Sequence, residues 1–430
     1  MTLETARAIA DAVLLEGYVL YPYRATSTKN RYRWTFGVLA PRDWTEAGGC
    51  EPSWLETQLL VEGEAPRLRG RFRFLHVIDR TIEAIEGERV RRVERLEVDG
   101  NVLVPWEEAD LREIDFEVTV APGRESQLFA FSVPAEERIE IVRDGSGRVV
   151  GRVVRTCRAL CGAIRAWSER AECQGEPLAR VSVHVENLTE VPSLSVERAE
   201  AMHSSFISSH LLLEAQRGRF LSLLDAPPHA RAAAAACTSV RAYPVLAGNP
   251  ARHDVLLCSP IILYDHPQIA PESPGDFFDA CEIDALLALR TKTLTPEERV
   301  LARATDGRTA ALLDRVDGLG EEAMARLHGT MRDRRAVATE SSHTASASDF
   351  QPGQRVRLRL KGGKRRTDAQ DLLYEGRCAT VESVRHDVDG REYLLVTIDD
   401  DPAAEMHRWK GRFHYYYPDE LERIEGGEHR

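Results

Sequence analysis

Residues 138–154 read RIEIVRDGSGRVVGRVV, and this stretch sets the fold class of the N-terminal half of the chain. Two arms rich in valine and isoleucine flank the turn formed by Asp144, Gly145, Ser146 and Gly147. Branched apolar residues favour strands, and glycine adopts the backbone angles of tight turns without strain. The stretch therefore predicts a β-hairpin.

Similar alternating segments occur on both sides of this hairpin between residues 16 and 190. They are RWTFGVL at 33–39, LRGRFRFLHV at 68–77, DFEVTV at 115–120, QLFAFSV at 127–133 and ARVSVHVENL at 179–188. Short strands separated by turns are typical of a β-sandwich or barrel. We therefore predict a β-rich, sandwich-like domain over residues 1–190, with helices at 3–14 and 158–171.

The second half of the chain has a different pattern. Helical spacing over 283–290 and the start signal Thr295-Pro296-Glu297-Glu298 predict a central α-rich region at 191–333. Small polar residues at 334–349 predict a linker. Beyond it, the alternating QRVRLRLK and the turn at Asp389-Gly390 predict an SH3-like β-barrel over 350–430. The predicted fold class is thus α+β and multidomain.

Composition limits the class of protein. The chain of 430 residues has 57 Lys and Arg against 69 Asp and Glu, a net charge of −12, which excludes a generally basic nucleic-acid-coating protein. Charged residues near the N-terminus interrupt any signal-peptide core, and the longest uncharged apolar run, 255–264, is too short to span a bilayer. Eight scattered cysteines favour reduced thiols, with Cys157 and Cys161 on one helix face. We expect a cytoplasmic protein without a membrane segment.

The most acidic window is residues 260–289, which contains six carboxylates and no lysine or arginine. Carboxylate oxygens and a histidine on a rigid, proline-rich loop are ligand types that suit a divalent cation. The candidate ligands are Asp265, His266, Glu272, Asp276 and Asp279. Two alternative interpretations are that these acids cap the following helix and face water, or that they form a surface for a basic partner.

His203 is a further candidate ligand. It precedes His210 by seven residues, so a helix over 197–216 places the two rings about 10 Å apart, too far to bind one metal ion without other groups. The serines between them leave an extended conformation equally open. A satisfied structural histidine is the simpler alternative for each residue.

Two basic segments are candidate partner-binding surfaces. The first combines Arg and aromatic residues, which are enriched at interfaces, namely Tyr21, Tyr23, Arg24, Arg31 and Trp34. The second is the strand that carries Arg355, Arg357 and Arg359. Because residues 351–430 have a net charge of about −1, a protein partner is favoured there over nucleic acid. The nucleotide-binding and hydrolase motifs GxGxxG, Walker A, HExxH and GxSxG are absent from the sequence.

Three segments resemble a bacterial protein family without established activity. They are YPYRATSTKNRYRWTFGVLAP at 21–41, CSPIILYDHPQIAPESPGDFFDACEIDALLALRTKTLTPEER at 258–299 and FQPGQRVRLRLKGGKRRTDAQDLLYEGRCATV at 350–381. Members of this family are encoded beside nickel-iron hydrogenase genes. The resemblance implies a non-catalytic accessory role in hydrogenase assembly, maturation or regulation, with hydrogenase subunits or maturation proteins as partners. No catalytic residue is carried over by it.

Two other functions stay open at this point. One is a metal carrier or metal-dependent enzyme that uses the acidic loop at 265–284, with a divalent metal as its cofactor. The other is a regulator that binds nucleic acid through the basic strand of the C-terminal barrel.

Overall fold

The fold was analysed in a computed structural model of the chain. The structure describes residues 2–123, 126–171, 177–269, 273, 275–279, 284–320, 350–359, 376–386, 392–399 and 413–424. The chain divides into two compact units, Met1–Arg332 and Asp333–Arg430. The predicted linker at 334–349 and the turn at Asp389-Gly390 lie outside the described residues.

Antiparallel strands dominate the first unit. Its strands are β1 (Trp54–Glu62), β2 (Arg67–Glu86), β3 (Arg89–Val93), β4 (Leu96–Val98), β5 (Asn101–Leu103), β6 (Trp106–Thr119), β7 (Gln127–Val133), β8 (Glu136–Arg143), β9 (Val149–Cys157), β10 (Leu160–Arg170), β11 (Leu178–Asn187), β12 (Ile207–Gln216), β13 (Arg219–Leu221), β14 (Ser239–Val240), β15 (Tyr243–Ala247) and β16 (Val255–Ser259). Its helices are α1 (Thr2–Leu14), α2 (Arg42–Glu46), α3 (Arg198–Met202), α4 (Arg231–Ala235), α5 (Asp284–Lys292), α6 (Pro296–Thr305) and α7 (Gly307–Asp317).

These strands form two main sheets. The first has the order β13-β1-β11-β10-β7, with β14 paired to β1. The second has the order β15-β16-β12-β2-β9-β8, with β3 and β6 paired to β2. Buried side chains of both sheets, such as Val183 of β11 and Phe72 of β2, form one hydrophobic core. As far as the structure describes them, the sheets do not close.

The predicted hairpin at residues 138–154 is confirmed. Strands β8 and β9 pair antiparallel, and the Asp144 N–H donates to the carbonyl oxygen of Arg148 at 2.9 Å. The Asp144 carboxylate accepts the N–H of Ser146 at 3.0 Å, which fixes the turn locally. A short-range pattern was sufficient because all these contacts lie within a few residues.

The predicted helix at 158–171 is wrong, since these residues form β10. Leu160, Ile164 and Ala166 are buried and lie on one face of the strand, which pairs with β7 and β11. Cys157 ends β9 and Cys161 lies in β10, so the two thiols share no helix face. Pairing on both edges stabilises the extended conformation more than the weak helical spacing of this segment.

The predicted central α-rich region is only partly helical. Helices α5, α6 and α7 lie where the pattern placed them, and Thr295 and Glu298 form the reciprocal capping box expected at the start of α6. Residues 207–259, in contrast, contribute five strands. Strand β12 pairs with β2, so residues on both sides of position 190 share one sheet.

Helices cover the outer face of the second sheet. Buried Leu75 and Val77 of β2 pack in a second core with Leu287 of α5 and Leu312 of α7. The N-terminal segment enters the same core through Tyr18 and other aromatic residues. This layer brings residues 18–34, the end of the acidic segment and α7 together. No helix in the described part of the chain is long and apolar enough to cross a membrane.

The second unit contains a sheet of five antiparallel strands. They are β17 (Arg355–Leu358), β18 (Cys378–His386), β19 (Glu392–Ile398), β20 (His414–Tyr416) and β21 (Leu421–Arg423), in the order β20-β19-β18-β17-β21. Val356 and Leu358 of β17 are buried, whereas Arg355 and Arg357 are exposed. The predicted alternation of this strand is confirmed.

Candidate functional site

The basic aromatic segment lies mostly inside the first unit. Tyr23 and Trp34 are buried in the helix-covered core, and both have left-handed backbone angles, with φ of 65° and 59°. The Tyr23 hydroxyl donates to the carbonyl oxygen of Phe277 at 3.0 Å. Large side chains adopt such backbone angles only where the surrounding packing enforces them. These two side chains are therefore structural anchors and are not displayed at the surface.

Asp279 of the acidic segment binds the basic aromatic segment. Its side chain is buried, and one oxygen, Oδ2, accepts the Lys29 Nζ at 2.5 Å and the Tyr21 N–H at 3.0 Å. A buried carboxylate requires such partners to offset its lost hydration. One lysine of the basic aromatic segment is thus paired with one carboxylate of the acidic segment within the fold.

Arg33 forms the centre of a second polar contact. Its guanidinium carbon lies 4.5 Å from the ring centroid of Trp34 and 3.9 Å from that of Trp106. Its Nη2 donates to Glu107 Oε2 at 2.6 Å. Burial lowers the pKa of Arg33, and the charge of Glu107 opposes that shift. Stacking and ion pairing together hold this cation away from water.

His203 completes the group. It follows α3, and its Nε2 lies 3.1 Å from Glu107 Oε1. Burial raises the pKa of Glu107, but the bond from His203 and the charges of Arg33 and His203 outweigh it and lower this pKa to about 2. Glu107 is therefore ionised throughout the physiological range, with each oxygen paired to a different residue. We name Arg33, Trp34, Trp106, Glu107 and His203 the Arg33 cluster.

A pocket of about 540 Å³ opens beside the Arg33 cluster. Arg33, Trp106 and Glu107 line it together with Arg198. Arg198 is already engaged, because its side chain bonds Glu51 Oε1 at 2.6 Å and the carbonyl oxygen of Trp34 at 2.6 Å. At this wall Arg33 is thus paired with Glu107 and Arg198 with Glu51, so these charged groups are already engaged within the fold.

The Asp265–His266 pair lies in a different environment. The Asp265 carboxylate accepts hydrogen bonds from the Ser222 hydroxyl at 2.5 Å and from the backbone N–H of Leu246 at 2.7 Å. The backbone N–H of His266 donates to the carbonyl oxygen of Leu246 at 2.6 Å. Both residues thereby fasten the loop that follows β16 to β15. The His266 ring lies 5.7 Å from that of His253, and burial lowers the pKa of His266.

The remaining candidate ligands do not join this pair. Asp276 is half-buried, burial raises its pKa, and its carbonyl oxygen accepts a bond from Arg315. Glu272 lies outside the described residues. Asp279 contacts Lys29, and His203 contacts Glu107. Within the described ranges, no group of three or more His, Cys, Asp or Glu side chains is arranged to hold a metal ion.

The arginines that were predicted to bind a partner differ in their contacts and exposure. Arg24 lies 3.3 Å from Glu298, and the side chain of Arg31 is outside the described part. In the second unit, Arg355 bonds Asp399 at 2.9 Å, and Arg359 bonds both carboxylate oxygens of Glu422 at 2.7 and 2.9 Å. Arg357 is exposed. Two of the three strand arginines are thus matched by acids of their own sheet.

Sequence reasoning missed the apolar side chains of the loop after β16. Ile262 and Tyr264 are 72% and 73% exposed, the highest values among the large apolar residues described, and Ile269 is 50% exposed. Leu263 between them packs against the core of α1, β15 and β16. The sequence signal that indicates these exposed side chains is the apolar run at 261–264, directly before Asp265.

Glu107 was also missed. It lies in the alternating strand WEEADL at 106–111, where nothing distinguishes it from Glu108. No protein-family model matches this chain, and no curated protein is similar to it.

Proposed function

We propose that this protein is a non-catalytic, cytoplasmic accessory factor that binds nickel-iron hydrogenase subunits or their maturation proteins. The resemblance of three long segments supplies the class of partner. The geometry supports binding rather than catalysis, because the charged side chains of the Arg33 cluster, and Asp265 and Asp279 of the acidic segment, are engaged in contacts within the fold.

The observation that carries this proposal is the loop at residues 261–269. Ile262 and Tyr264 extend into solvent, while Asp265 anchors the same loop through two hydrogen bonds. Exposed aliphatic and aromatic residues on a fixed backbone are the usual anchors of protein interfaces, because ordering them on binding costs little entropy. The segment at 258–299 that carries the resemblance contains this loop.

We also propose finer folds for the two units. The first is sandwich-like, since two antiparallel sheets share a core. The second is an SH3-like barrel, supported by its meander of β17 to β20, the pairing of β21 with β17, and the short helix Pro418–Glu420 before β21. Such a small module provides a second contact with the partner, which strengthens binding by raising its effective concentration.

Copurification tests the proposal. The tagged chain is recovered from cells with and without the hydrogenase structural genes, as wild type, as Ile262→Ser and as Tyr264→Ser. We expect each substitution to reduce the recovered hydrogenase polypeptide about tenfold, the size of a typical interface anchor.

Val90→Ser provides the matched control, since Val90 is an exposed branched residue of β3, 49% accessible, away from the loop. Equal recovery with all variants contradicts the role of the loop. An unchanged level of mature, active hydrogenase after deletion of the gene contradicts the accessory role itself.

A further inference from the structure

Strand β8 forms an edge of the second sheet. Seven of its eight residues are exposed, and Val142 alone is partly covered. Among the residues that the structure describes, its pairing partner is β9, on one side. As far as the described residues show, its other side therefore presents backbone N–H and C=O groups that are available for a further strand.

The turn identifies which backbone groups face outward. The Asp144 N–H donates to Arg148 on the β9 side. Backbone polar groups of a strand alternate between its two sides from one residue to the next. The bulge in this hairpin skips Val150 of β9 and leaves β8 regular. The even-numbered residues of β8 thus bond β9, and the odd-numbered residues direct their N–H and C=O groups to the free edge.

The odd-numbered residues also share one side-chain face. In order they are Glu137, Ile139, Ile141 and Arg143. Ile139 and Ile141 are 47% and 49% exposed. When a reversed copy of the strand is placed beside this one, the acid lies opposite the base and each isoleucine lies opposite an isoleucine. This symmetry of charge and apolar surface favours a second copy of the same strand as the occupant of the edge.

We propose that β8 pairs antiparallel with β8 of a second copy of this chain, about a two-fold axis at Glu140. In this register Ile139 lies opposite Ile141 of the second copy, and Glu137 lies opposite Arg143 of the second copy. Both pairs occur twice, because a two-fold interface repeats each contact. Facing β-branched residues and opposite charges are the cross-strand pairs that stabilise antiparallel sheets.

Neighbouring registers are poorer. Only shifts that keep odd residues opposite odd residues join the free N–H and C=O groups of both edges. An axis at Ile139 places Glu137 opposite Ile141, and an axis at Ile141 places Ile139 opposite Arg143. On the face that carries the isoleucines, each of these places a charge against an apolar side chain, whereas the axis at Glu140 avoids this, so complementarity of that face selects the axis at Glu140.

On the other face, the chosen register brings two like charges together, because Glu140 meets Glu140 of the second copy. Arg155 already bonds this carboxylate at 3.0 Å, and Arg155 also bonds Glu108 at 2.8 Å. The repulsion is therefore reduced by a cation held in place beside each glutamate. The same face brings Arg138 opposite Val142 of the second copy.

Charge reversal tests the register in the full-length chain. The dissociation constant of the dimer is measured by sedimentation or light scattering over a concentration series. Glu137→Arg and Arg143→Glu each place like charges opposite each other twice, and we expect each to weaken the dimer at least about tenfold. The double variant Glu137→Arg/Arg143→Glu restores both pairs, and we expect a constant within about threefold of wild type. Because both single changes are at exposed positions, we expect each variant to fold, and urea unfolding of each variant checks this.

A cysteine at the axis gives an independent measurement. Glu140 and its counterpart form a non-hydrogen-bonded pair with Cα atoms about 4.5 Å apart, within the range of a disulfide. We expect Glu140→Cys to form a cross-linked dimer under mild oxidation. Arg138→Cys is the matched control, since its two copies lie four residues apart, about 13 Å. Wild type corrects for the exposed Cys50 and Cys161.

Each possible outcome of these experiments either supports or overturns the proposed dimer. A dimer weakened by both single reversals, restored by the double variant and cross-linked through position 140 supports the proposal. A chain that is monomeric at every concentration overturns it. So does a dimer indifferent to the single reversals, a double variant that fails to recover, or equal cross-linking at positions 138 and 140.

Discussion

Glu107 Oε1 lies 3.1 Å from His203 Nε2, while the other oxygen of the same carboxylate accepts Arg33 at 2.6 Å. A strand of the second sheet, the segment after α3 and the N-terminal aromatic segment are thereby joined at one side chain. Two sequence candidates, His203 and the segment at 21–34, thus meet through a residue that the sequence did not indicate.

Glu107→Gln removes the charge at this junction while keeping the shape of the side chain. Because Arg33 stays buried without a full counter-charge, we expect the free energy of unfolding at pH 7 to fall by about 1–2 kcal/mol, with partial exposure of Glu107 limiting the loss. Urea unfolding followed by tryptophan fluorescence measures it. Glu117→Gln, in an exposed pair with Arg67, is the control and should change stability by less than about 0.5 kcal/mol.

The same contact predicts an acid dependence. The pKa of Glu107 is lowered to about 2 in the folded protein. A depressed carboxyl pKa stabilises the fold above the unfolded pKa of about 4.5 and loses that contribution as the pH falls toward about 2. The difference in stability between wild type and Glu107→Gln should therefore shrink from pH 5 to pH 2.5. A constant difference over that range contradicts the assignment.

We expect His210 to make the free energy of unfolding depend on pH at higher pH values than Glu107 does. Burial and the charge of Arg73 lower its pKa to about 3, and its Nδ1 lies 2.8 Å from the Ser208 carbonyl oxygen. Below about pH 6.5, His210 is protonated in the unfolded chain but stays neutral in the folded protein. The free energy of unfolding therefore falls by up to about 1.4 kcal/mol for each unit that the pH is lowered. His210→Gln removes this contribution. Urea unfolding at pH 7, 6 and 5 should show a shallower slope for the variant, and equal slopes would count against the prediction.

Thr295→Ala should weaken the start of α6. The Thr295 hydroxyl accepts the Glu298 N–H at 3.2 Å, and the Glu298 carboxylate accepts the Thr295 N–H at 3.0 Å. Loss of this cap should lower the free energy of unfolding by about 1 kcal/mol. Ser27→Ala is the control, because Ser27 precedes a short helix without a side-chain capping bond. Similar losses in both variants contradict a specific capping effect.

Gly70→Ala should disturb the centre of the second sheet. A Cβ atom at Gly70 would meet the Phe116 ring at 2.1 Å, and the two residues face each other across β2 and β6. Moving this ring should destabilise the fold by about 1–3 kcal/mol. At Gly307 nothing lies within 4 Å of the added atom, so Gly307→Ala should be neutral or stabilising by up to about 1 kcal/mol. Thermal unfolding of both variants measures the contrast.

Local patterns predicted the elements whose contacts are short in sequence. The hairpin of β8 and β9, the capped start of α6, helix α1 and the alternating β17 are examples. They failed where pairing at both edges decided the conformation, as in β10, and they left the choice between helix and strand open at β12, which pairing with β2 and β16 decided. There the stabilising partner lies elsewhere in the chain, and local propensity is a weak guide.

By itself, the sequence determined the elements whose contacts are local, such as the β8–β9 hairpin, the start of α6 and the alternating faces of β17, and the excess of acid in one window, because these depend on neighbouring residues. Only the tertiary structure decided that Asp279 binds Lys29, 250 residues away, and that His203 binds Glu107, 96 residues away. It also decided that Ile262 and Tyr264 face solvent. Such contacts depend on strand order, register and the helix layer over the second sheet, and no local pattern of residues specifies how these are arranged.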